Sequence, residues 1–291
     1  RAFVTLELDT DEGIQGIGLT FVPGLRESPL TPALREAVDA LCQMAVGEDP
    51  MPVEAIAVKL RGAAAGSGPG GILSLALSAV DIALWDIKGK RLDVPIYDLM
   101  GGKTRDKIRC YMHVGGTTKD DLVASAIAAA AEGFTAVRFT PFSKDYYLHK
   151  SYTEWADEAV ERVGAVKEAV GSDVDICVEI HRQMTPAESI GLGRRLEQFN
   201  PFFYEDPMLP DSPAIMGDVA EQCGIPIATG ERFTTIFEYQ QLLEAKAASY
   251  VRPDLCLCGG LSGCKKVAAM AEAQHVKVIP HNPLSPVSTA A

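Results

Sequence analysis

Polar residues recur at a nearly constant interval through the second half of the chain, each at the end of a short apolar segment. They are separated by 26, 26, 23 and 27 residues, and they are Glu179, Glu205, Glu231, Asp254 and His281. One strand with its following helix has about this length, so each residue is predicted at the C-terminal end of a successive parallel strand. In a closed (β/α) barrel those ends converge on one mouth. An open doubly wound sheet is the alternative, although its strand ends do not converge.

The sequence around these residues supports a parallel sheet. From about residue 107, apolar segments alternate with Ala-rich ones, as in "KIRCYMHV", "LVASAIAAAAEG" and "TAVRFT". Helix starts are predicted at Thr185-Pro186, with Glu188 in capping-box position, and at Ser212-Pro213 and Ser285-Pro286. Residues 106–291 are therefore predicted to form the barrel.

The first part of the chain has a different pattern. "FVTLEL" and "IQGIGL" predict a hairpin with Gly13 in its turn. Three helices are predicted next: one with Thr31 as N-cap and Pro32 as first residue, then "VEAIAVKLRG" and the long apolar "ILSLALSAVDIALWDIKGK". Residues 1–105 are therefore predicted to form an α+β domain.

Composition excludes several classes of function. The net charge is −12 and no basic run interleaves with aromatic residues, so nucleic acid is a poor partner. No apolar stretch has the length of a membrane span, and the start lacks a signal-peptide core, so we expect a cytoplasmic protein without a membrane partner. The seven cysteines, including Cys256 and Cys258 in a C-x-C, lack disulfide or zinc-finger spacing and are interpreted as reduced packing residues.

The carboxylates at the predicted strand ends point to a metal site. In "DICVEIHRQ", strand alternation places Cys177, Glu179 and His181 on one face. Carboxylates from adjacent strands repel one another unless a cation lies between them, and hard oxygen ligands suit Mg²⁺. The alternative is that each glutamate pairs with a nearby arginine such as Arg182 or Arg232.

Two histidines are candidate catalytic residues. His281 follows an apolar strand one strand after Asp254, so the two side chains could touch, and a carboxylate that orients an imidazole makes a general base. On the predicted inward face, His181 would face the same substrate. The other histidines, His113, His149 and His275, are interpreted as structural.

Two further segments have patterns that suggest a function. "GSGPGG" at Gly66 to Gly71 half-matches a dinucleotide fingerprint, but a helical segment precedes it where a strand is required, so we interpret it as a mobile loop. Tyr146 and Tyr147 lie in the longest gap between predicted barrel strands, where a loop could cover the mouth and Tyr146 could bind substrate. Surface packing is the alternative.

The motifs "ALSAVDIALWDIKGKRLDVPIYDLMGG", "VEIHRQ", "YEDP", "GERF", "RPDLCLCGG" and "PHNPLSP" resemble those of the mandelate racemase branch of the enolase superfamily, and within it the acid-sugar dehydratases. The resemblance covers essentially the whole chain. It implies a capping domain over a modified (β/α)₇β barrel, a homo-oligomer, and Mg²⁺ held by Glu179, Glu205 and Glu231. It also implies that His281 with Asp254 removes the α-proton and that His181 protonates the departing 3-hydroxyl.

The chain departs from the family pattern in several places. Racemases and lactonizing enzymes of this branch carry K-x-K on the second barrel strand, whereas this strand reads "VRFT" with Arg138 and Thr140. The first ligand is Glu179 where the dehydratases usually have Asp. The sequence begins without Met and stops soon after His281, so we expect a first capping strand, a last barrel strand and a C-terminal segment outside it.

The resemblance predicts removal of water from an aldonate or aldarate to give a 2-keto-3-deoxy acid. Arg138 is predicted to bind the anionic substrate, with Glu231 and Tyr146 as further contacts. The alternatives are an epimerase, racemase or cycloisomerase of a sugar acid, and a non-catalytic sugar-acid-binding barrel. The particular acid sugar depends on loops such as residues 20–29 and 142–151.

Overall fold

The structure is a computed structural model that describes residues 2–24, 28–63, 68–143, 146–282 and 285–291. Parts of four segments named in the sequence analysis lie outside these ranges. They are residues 25–27 and 144–145 of the two substrate-selecting loops, Gly66 and Ser67 of the glycine-rich loop, and Pro283 and Leu284 of "PHNPLSP". The side chain of Tyr147 is likewise outside the description.

The chain divides into two compact units. The first contains the residues up to Asp106 together with Gly230–Gln240 and Val251–Ala291, and the second contains Lys107–Thr229 and Gln241–Tyr250. The two-domain division at residue 105 that the sequence suggests stays a prediction.

The first unit begins with the predicted hairpin. Strands β1 (Val4–Asp9) and β2 (Gln15–Thr20) pair antiparallel, with Gly13 at φ +77° in the turn. Gly18 on β2 packs directly on the long helix α3 (Ile72–Leu92), since a Cβ at Gly18 would lie 2.0 Å from the carbonyl oxygen of Ala79. A glycine is required there because any side chain would push the hairpin off the helix.

The remaining elements of this part of the first unit are helical. They are α1 (Thr31–Ala45), α2 (Val53–Ala63) and α4 (Ile96–Leu99), which complete the series with α3. The prediction of Thr31 as N-cap was wrong by one residue. Leu30 has helical φ and ψ angles and is the N-cap, so Thr31 is already inside the helix and caps nothing with its side chain.

Strands and helices alternate from residue 112 onward, as predicted. Strands β3 to β9 are hydrogen-bonded neighbours in sequence order, and they are Met112–His113, Ala136–Phe139, Asp175–Glu179, Phe203–Glu205, Ile227–Thr229, Tyr250–Val251 and Lys277–Val278. The helices α5 to α12 are Lys119–Ala131, Tyr146–His149, Tyr152–Val170, Pro186–Leu196, Pro213–Gln222, Ile236–Glu244, Gly260–Ala273 and Pro286–Ala290. A short 3₁₀ helix, Glu197–Phe199, follows α8.

The predicted helix starts at Thr185, Ser212 and Ser285 are confirmed, each as an N-cap whose side chain accepts a backbone N–H.

The first predicted strand is much shorter than expected. Of "KIRCYMHV" only Met112–His113 forms a strand with β4, the Val114 amide donates to the Arg138 carbonyl at 3.0 Å, and residues 107–110 are exposed.

Strand β5 is buried on both faces. Ile176 and Val178 point one way and Cys177 and Glu179 the other, and each is at most 1% exposed. A carboxylate in such a place needs a compensating charge, because an isolated buried anion is costly. The partners of Glu179 therefore decide what this strand does.

Candidate active site

Two buried glutamates lie side by side in the second unit. Glu179 is the last residue of β5 and Glu205 the last of β6, and they stand opposite each other in the parallel register. Their exposures are 1% and 0%. Adjacent like charges out of water repel strongly, so the pair requires a cation.

Arg138 supplies positive charge to both carboxylates. Its Nε donates to Glu205 Oε2 at 2.6 Å and its Nη2 donates to Glu205 Oε1 at 2.8 Å, a bidentate pair. Nη2 also contacts Glu179 Oε2. Pairing of the glutamates with an arginine was the alternative raised from the sequence, but for this pair the arginine is Arg138 on β4. Its predicted role in substrate binding stays a prediction.

The donor chemistry of this pair fits a hard divalent cation. One guanidinium compensates only part of the charge of two carboxylates, and apart from its contact with Arg138 the Glu179 carboxylate accepts no hydrogen bond from the described residues. Within those residues, no three His, Cys, Asp or Glu side chains are arranged to hold a metal ion. Glu179 and Glu205 therefore resemble part of a ligand set, with Arg138 supplying charge that a cation would otherwise supply.

His181 does not continue the alternation of β5, contrary to the prediction. The strand ends at Glu179, and His181 and Arg182 both have left-handed backbone angles, φ +60° and +67°. The side chain of His181 is exposed, and its Nε2 lies 3.0 Å from Arg182 Nη2. A turn at this point, rather than the strand's period, sets its direction.

A buried ion pair that the sequence analysis missed supports this turn. Arg182 Nη1 donates to Asp206 Oδ2, the Arg182 amide donates to the Asp206 carbonyl at 2.8 Å, and Thr229 Oγ1 donates to Asp206 Oδ1 at 2.7 Å. Asp206 is 1% exposed and has φ +41°. The sequence did contain a signal for this pair. Asp206 is the second acidic residue of "YEDP", and a carboxylate at the end of a buried strand needs a partner.

The first unit contains the predicted contact between His281 and Asp254. His281 Nδ1 lies 2.7 Å from Asp254 Oδ2, and His281 Nε2 lies 3.2 Å from Glu231 Oε2. Asp254 is 2% exposed. With Nδ1 donating to Asp254, Nε2 is the ring nitrogen turned toward Glu231, and the role of His281 as a general base stays a prediction.

Two other predicted residues have the following positions. Arg232 Nε is 3.7 Å from Glu231 Oε1, a long and partly exposed ion pair. The ring of Tyr146 is 4% exposed and stacks on Phe142 with centroids 4.2 Å apart, with Trp155 at 5.3 Å. Aromatic packing of Tyr146, the alternative raised above, is therefore observed, and its contact with substrate stays a prediction.

Parallel strands that end in buried carboxylates, together with an Asp–His pair after later strands, define an α/β enzyme of the barrel class. Family models agree with this class over most of the chain. The N-terminal domain of mandelate racemase/muconate lactonizing enzyme matches residues 1–101, and the enolase C-terminal domain-like family matches residues 121–291. The chain belongs to the mandelate racemase/muconate lactonizing enzyme family of the enolase superfamily, as the motifs indicated.

Several curated relatives are D-galactonate dehydratases, and dehydratases are hydro-lyases. The chain is 37% identical to D-galactonate dehydratase of Ralstonia nicotianae over 287 residues, which are 98% of this chain and 73% of the relative. It is 36% identical to D-galactonate dehydratase of Klebsiella pneumoniae over the same shares of the two chains.

Solved structures confirm the predicted fold class, an α/β modified TIM-type barrel with an N-terminal capping domain. A member of the enolase superfamily from Salmonella Typhimurium has a TM-score of 0.92 at 35% identity and covers 99% of this chain and 78% of its own. A candidate galactarate dehydratase from Agrobacterium radiobacter, with Na and L-malate bound, has a TM-score of 0.91 at 31% identity and covers 99% and 72%. None of the helices in the described residues is long and apolar enough to cross a membrane.

Proposed function

We propose that this chain is a Mg²⁺-dependent acid-sugar dehydratase that converts an aldonate or aldarate into a 2-keto-3-deoxy acid, with D-galactonate as the first substrate to test. The observation that carries the proposal is the 2.7 Å contact between His281 Nδ1 and Asp254 Oδ2. The similarity to D-galactonate dehydratases supports the choice of substrate.

Glu179, Glu205 and Glu231 are the proposed ligands of Mg²⁺. The α-proton of a carboxylate is very weakly acidic. A cation held by these ligands would make that proton more acidic by stabilising the negative charge that develops on the substrate. Arg138 has a complementary role in this proposal. With a cation at Glu179 and Glu205, the guanidinium of Arg138 would no longer be needed to balance both carboxylates and could pair with the anionic substrate.

His281 is the proposed general base. Asp254 fixes Nδ1–H, so Nε2 takes the proton from C2 and the electron pair moves into the substrate carboxylate. His181 is the proposed general acid. It donates a proton to the 3-hydroxyl, which leaves as water when the C3–O bond breaks, and the resulting enol tautomerises to the 2-keto acid.

Glu231 and Tyr146 are proposed as additional substrate contacts, and the protein is proposed to be a cytoplasmic homo-oligomer with no nucleic-acid partner. The net charge of −12 supports the last of these.

The test is incubation of the protein with D-galactonate and a library of other aldonates and aldarates in Mg²⁺, with detection of 2-keto acids. We expect EDTA-sensitive product from at least one substrate. The variant Glu205→Gln should remove activity, and its matched control is Glu188→Gln, which changes a half-buried capping residue of α8 and should not. Inversion at C2 without loss of water would identify an epimerase instead. Mg²⁺ binding without turnover of any acid sugar would identify a non-catalytic binding protein.

A further inference from the structure

The turn that carries Asp254 also determines how its carboxylate points. The amide of Cys256 donates to Asp254 Oδ1 at 2.8 Å, and the amides of Leu257 and Cys258 both donate to the Asp254 carbonyl at 3.0 Å. Asp254 therefore uses one carboxylate oxygen for its own turn and the other for His281. A small rotation of this turn would change the angle at which Asp254 meets the imidazole.

Thr20, at the end of β2, makes a hydrogen bond to the turn that carries Asp254. Its Oγ1 donates to the carbonyl oxygen of Cys256 at 2.8 Å, and Thr20 is 0% exposed. Cys256 is also the residue whose amide holds Asp254 Oδ1. A chain of hydrogen bonds within the first unit therefore runs from Thr20 on β2 through Cys256 and Asp254 to His281.

Helix α3 holds the rest of the turn with side chains on one face. Ser74 Oγ lies 3.2 Å from the Leu257 carbonyl, Ser78 Oγ accepts from the Gly259 amide at 2.8 Å, and Asp81 Oδ1 accepts from the Ser262 amide at 3.0 Å. The spacing of four and three residues keeps the three side chains on the same helical stripe. All three are buried, so their bonds are shielded from competing water.

We propose that Thr20 and Ser78 are positioning residues for the Asp254–His281 pair. They touch neither His281 nor the Asp254 carboxylate, and they act by fixing the turn from which Asp254 projects. The kinetic part of this inference rests on the dehydratase function proposed above, whereas the geometric part does not.

The decisive variant is Thr20→Val, which keeps the β-branched shape and removes the hydroxyl. We expect kcat to fall about tenfold or more with KM changed by no more than about twofold, because a misdirected base slows proton abstraction without weakening substrate binding. Thr20→Ser restores the hydroxyl and should recover kcat.

Thr10→Val is the matched control. Thr10 lies in the same hairpin, and its hydroxyl makes two bonds of 3.0 Å to the backbone of Ile14 in the turn. This variant loses a hydroxyl bonded to the main chain, as Thr20→Val does, but it leaves the Asp254 turn untouched. It should keep kcat.

The second measurement does not depend on activity. In protein labelled with ¹⁵N-histidine, the Nδ1–H proton of His281 reports its hydrogen bond to Asp254, and its signal is assigned among the five histidines by its loss in His281→Asn. We expect that signal to shift or broaden in Thr20→Val and to stay in place in Thr10→Val and Thr20→Ser. If the unmodified protein dehydrates no acid sugar but this pattern holds, the proposed function fails and the positioning role stands.

The proposal is overturned if Thr20→Val leaves both kcat and the Nδ1–H signal unchanged, or if Thr10→Val changes them equally. Circular dichroism checks folding. If Thr20→Val does not fold, Ser78→Ala replaces it with the same expected pattern, since Ser78 holds the Gly259 amide of the same turn.

Discussion

Arg138 donates two hydrogen bonds to Glu205, from Nε to Oε2 at 2.6 Å and from Nη2 to Oε1 at 2.8 Å. The same guanidinium contacts Glu179, so one positive charge serves two buried carboxylates and leaves a net charge of −1 among the three. A divalent cation that binds these glutamates must therefore compete with an arginine that is already well paired. This competition makes the metal proposal testable through stability as well as activity.

Replacement of Arg138 by Met should destabilise the protein in EDTA. Removal of one partner from a buried ion pair leaves uncompensated charge, and the typical cost is about 3–5 kcal/mol of unfolding free energy. Added Mg²⁺ should raise the melting temperature of Arg138→Met more than that of the unmodified protein, because the cation no longer competes with the guanidinium. Thermal melts of both proteins in EDTA and in Mg²⁺ measure this.

The matched control is Arg109→Met. Arg109 also pairs with a carboxylate, Asp175, at 2.7 Å, but both side chains are at least 40% exposed. Its loss should cost no more than about 1 kcal/mol and should not change the response to Mg²⁺. The metal proposal would be contradicted if Arg138→Met were as stable as the unmodified protein in EDTA and if Mg²⁺ raised its melting temperature no more than that of the unmodified protein.

Asp254→Asn tests the second half of the proposed mechanism. The amide keeps the size of the carboxylate but no longer stabilises the Nδ1–H tautomer of His281, so Nε2 becomes a poorer proton acceptor. We expect kcat to fall by on the order of 10² or more with a modest change in KM. Steady-state kinetics on the substrate identified by the library screen measure this. A kcat within a factor of two of the unmodified enzyme would show that the 2.7 Å contact has no part in the reaction.

The contact between His281 and Asp254 was predictable because it follows from order alone. Residues at the ends of consecutive parallel strands come close whatever the details of packing. The contact of Arg138 with Glu179 could also have been predicted. Arg138 is the register neighbour of Cys177, and Cys177 shares a face with Glu179, whereas Arg182 and Arg232 are near the glutamates only in sequence.

The direction of His181 was not predictable from alternation. It depends on left-handed backbone angles at His181 and Arg182, and these depend on the buried pair of Arg182 with Asp206, which is 24 residues away. The polar stripe of Ser74, Ser78 and Asp81 has a visible helical spacing. Its partners lie more than 180 residues later, at a turn whose proximity no local pattern indicates.

The buried carboxylate of Asp81 should make stability depend on pH. Burial raises the pKa of Asp81 to about 6, and repulsion by Glu54 adds to this, against the lowering effect of the hydrogen bonds to Ser262. Between the ordinary aspartate pKa and about 6, the folded state holds a proton that the unfolded state has lost. Unfolding free energy therefore falls as pH rises through this window, by about 3 kcal/mol in total.

Asp81→Asn isolates this contribution. The amide oxygen can still accept the Ser262 amide, but the side chain no longer titrates. As pH falls from 7.5 to 5, the unfolding free energy of the unmodified protein should rise relative to that of Asp81→Asn by on the order of 1 kcal/mol. Urea denaturation of both proteins across this range measures the difference. A constant difference, or one of opposite sign, would show that Asp81 titrates normally in the folded protein.

The division of roles between His281 and His181 can be tested by hydrogen exchange at C2. If His281 is the base and His181 only the acid, His181→Asn should still remove the C2 proton but should not expel the 3-hydroxyl. In D₂O that variant should therefore form little 2-keto acid, yet it should exchange the C2 hydrogen of recovered substrate when His281 trades its proton with solvent before returning it. His281→Asn should show neither reaction, because no carbanion forms without the base.

Proton NMR of the recovered acid sugar distinguishes these outcomes. His275→Asn, which changes an exposed histidine just after α11, is the control that should behave like the unmodified enzyme. Exchange in His281→Asn but not in His181→Asn would reverse the two assignments.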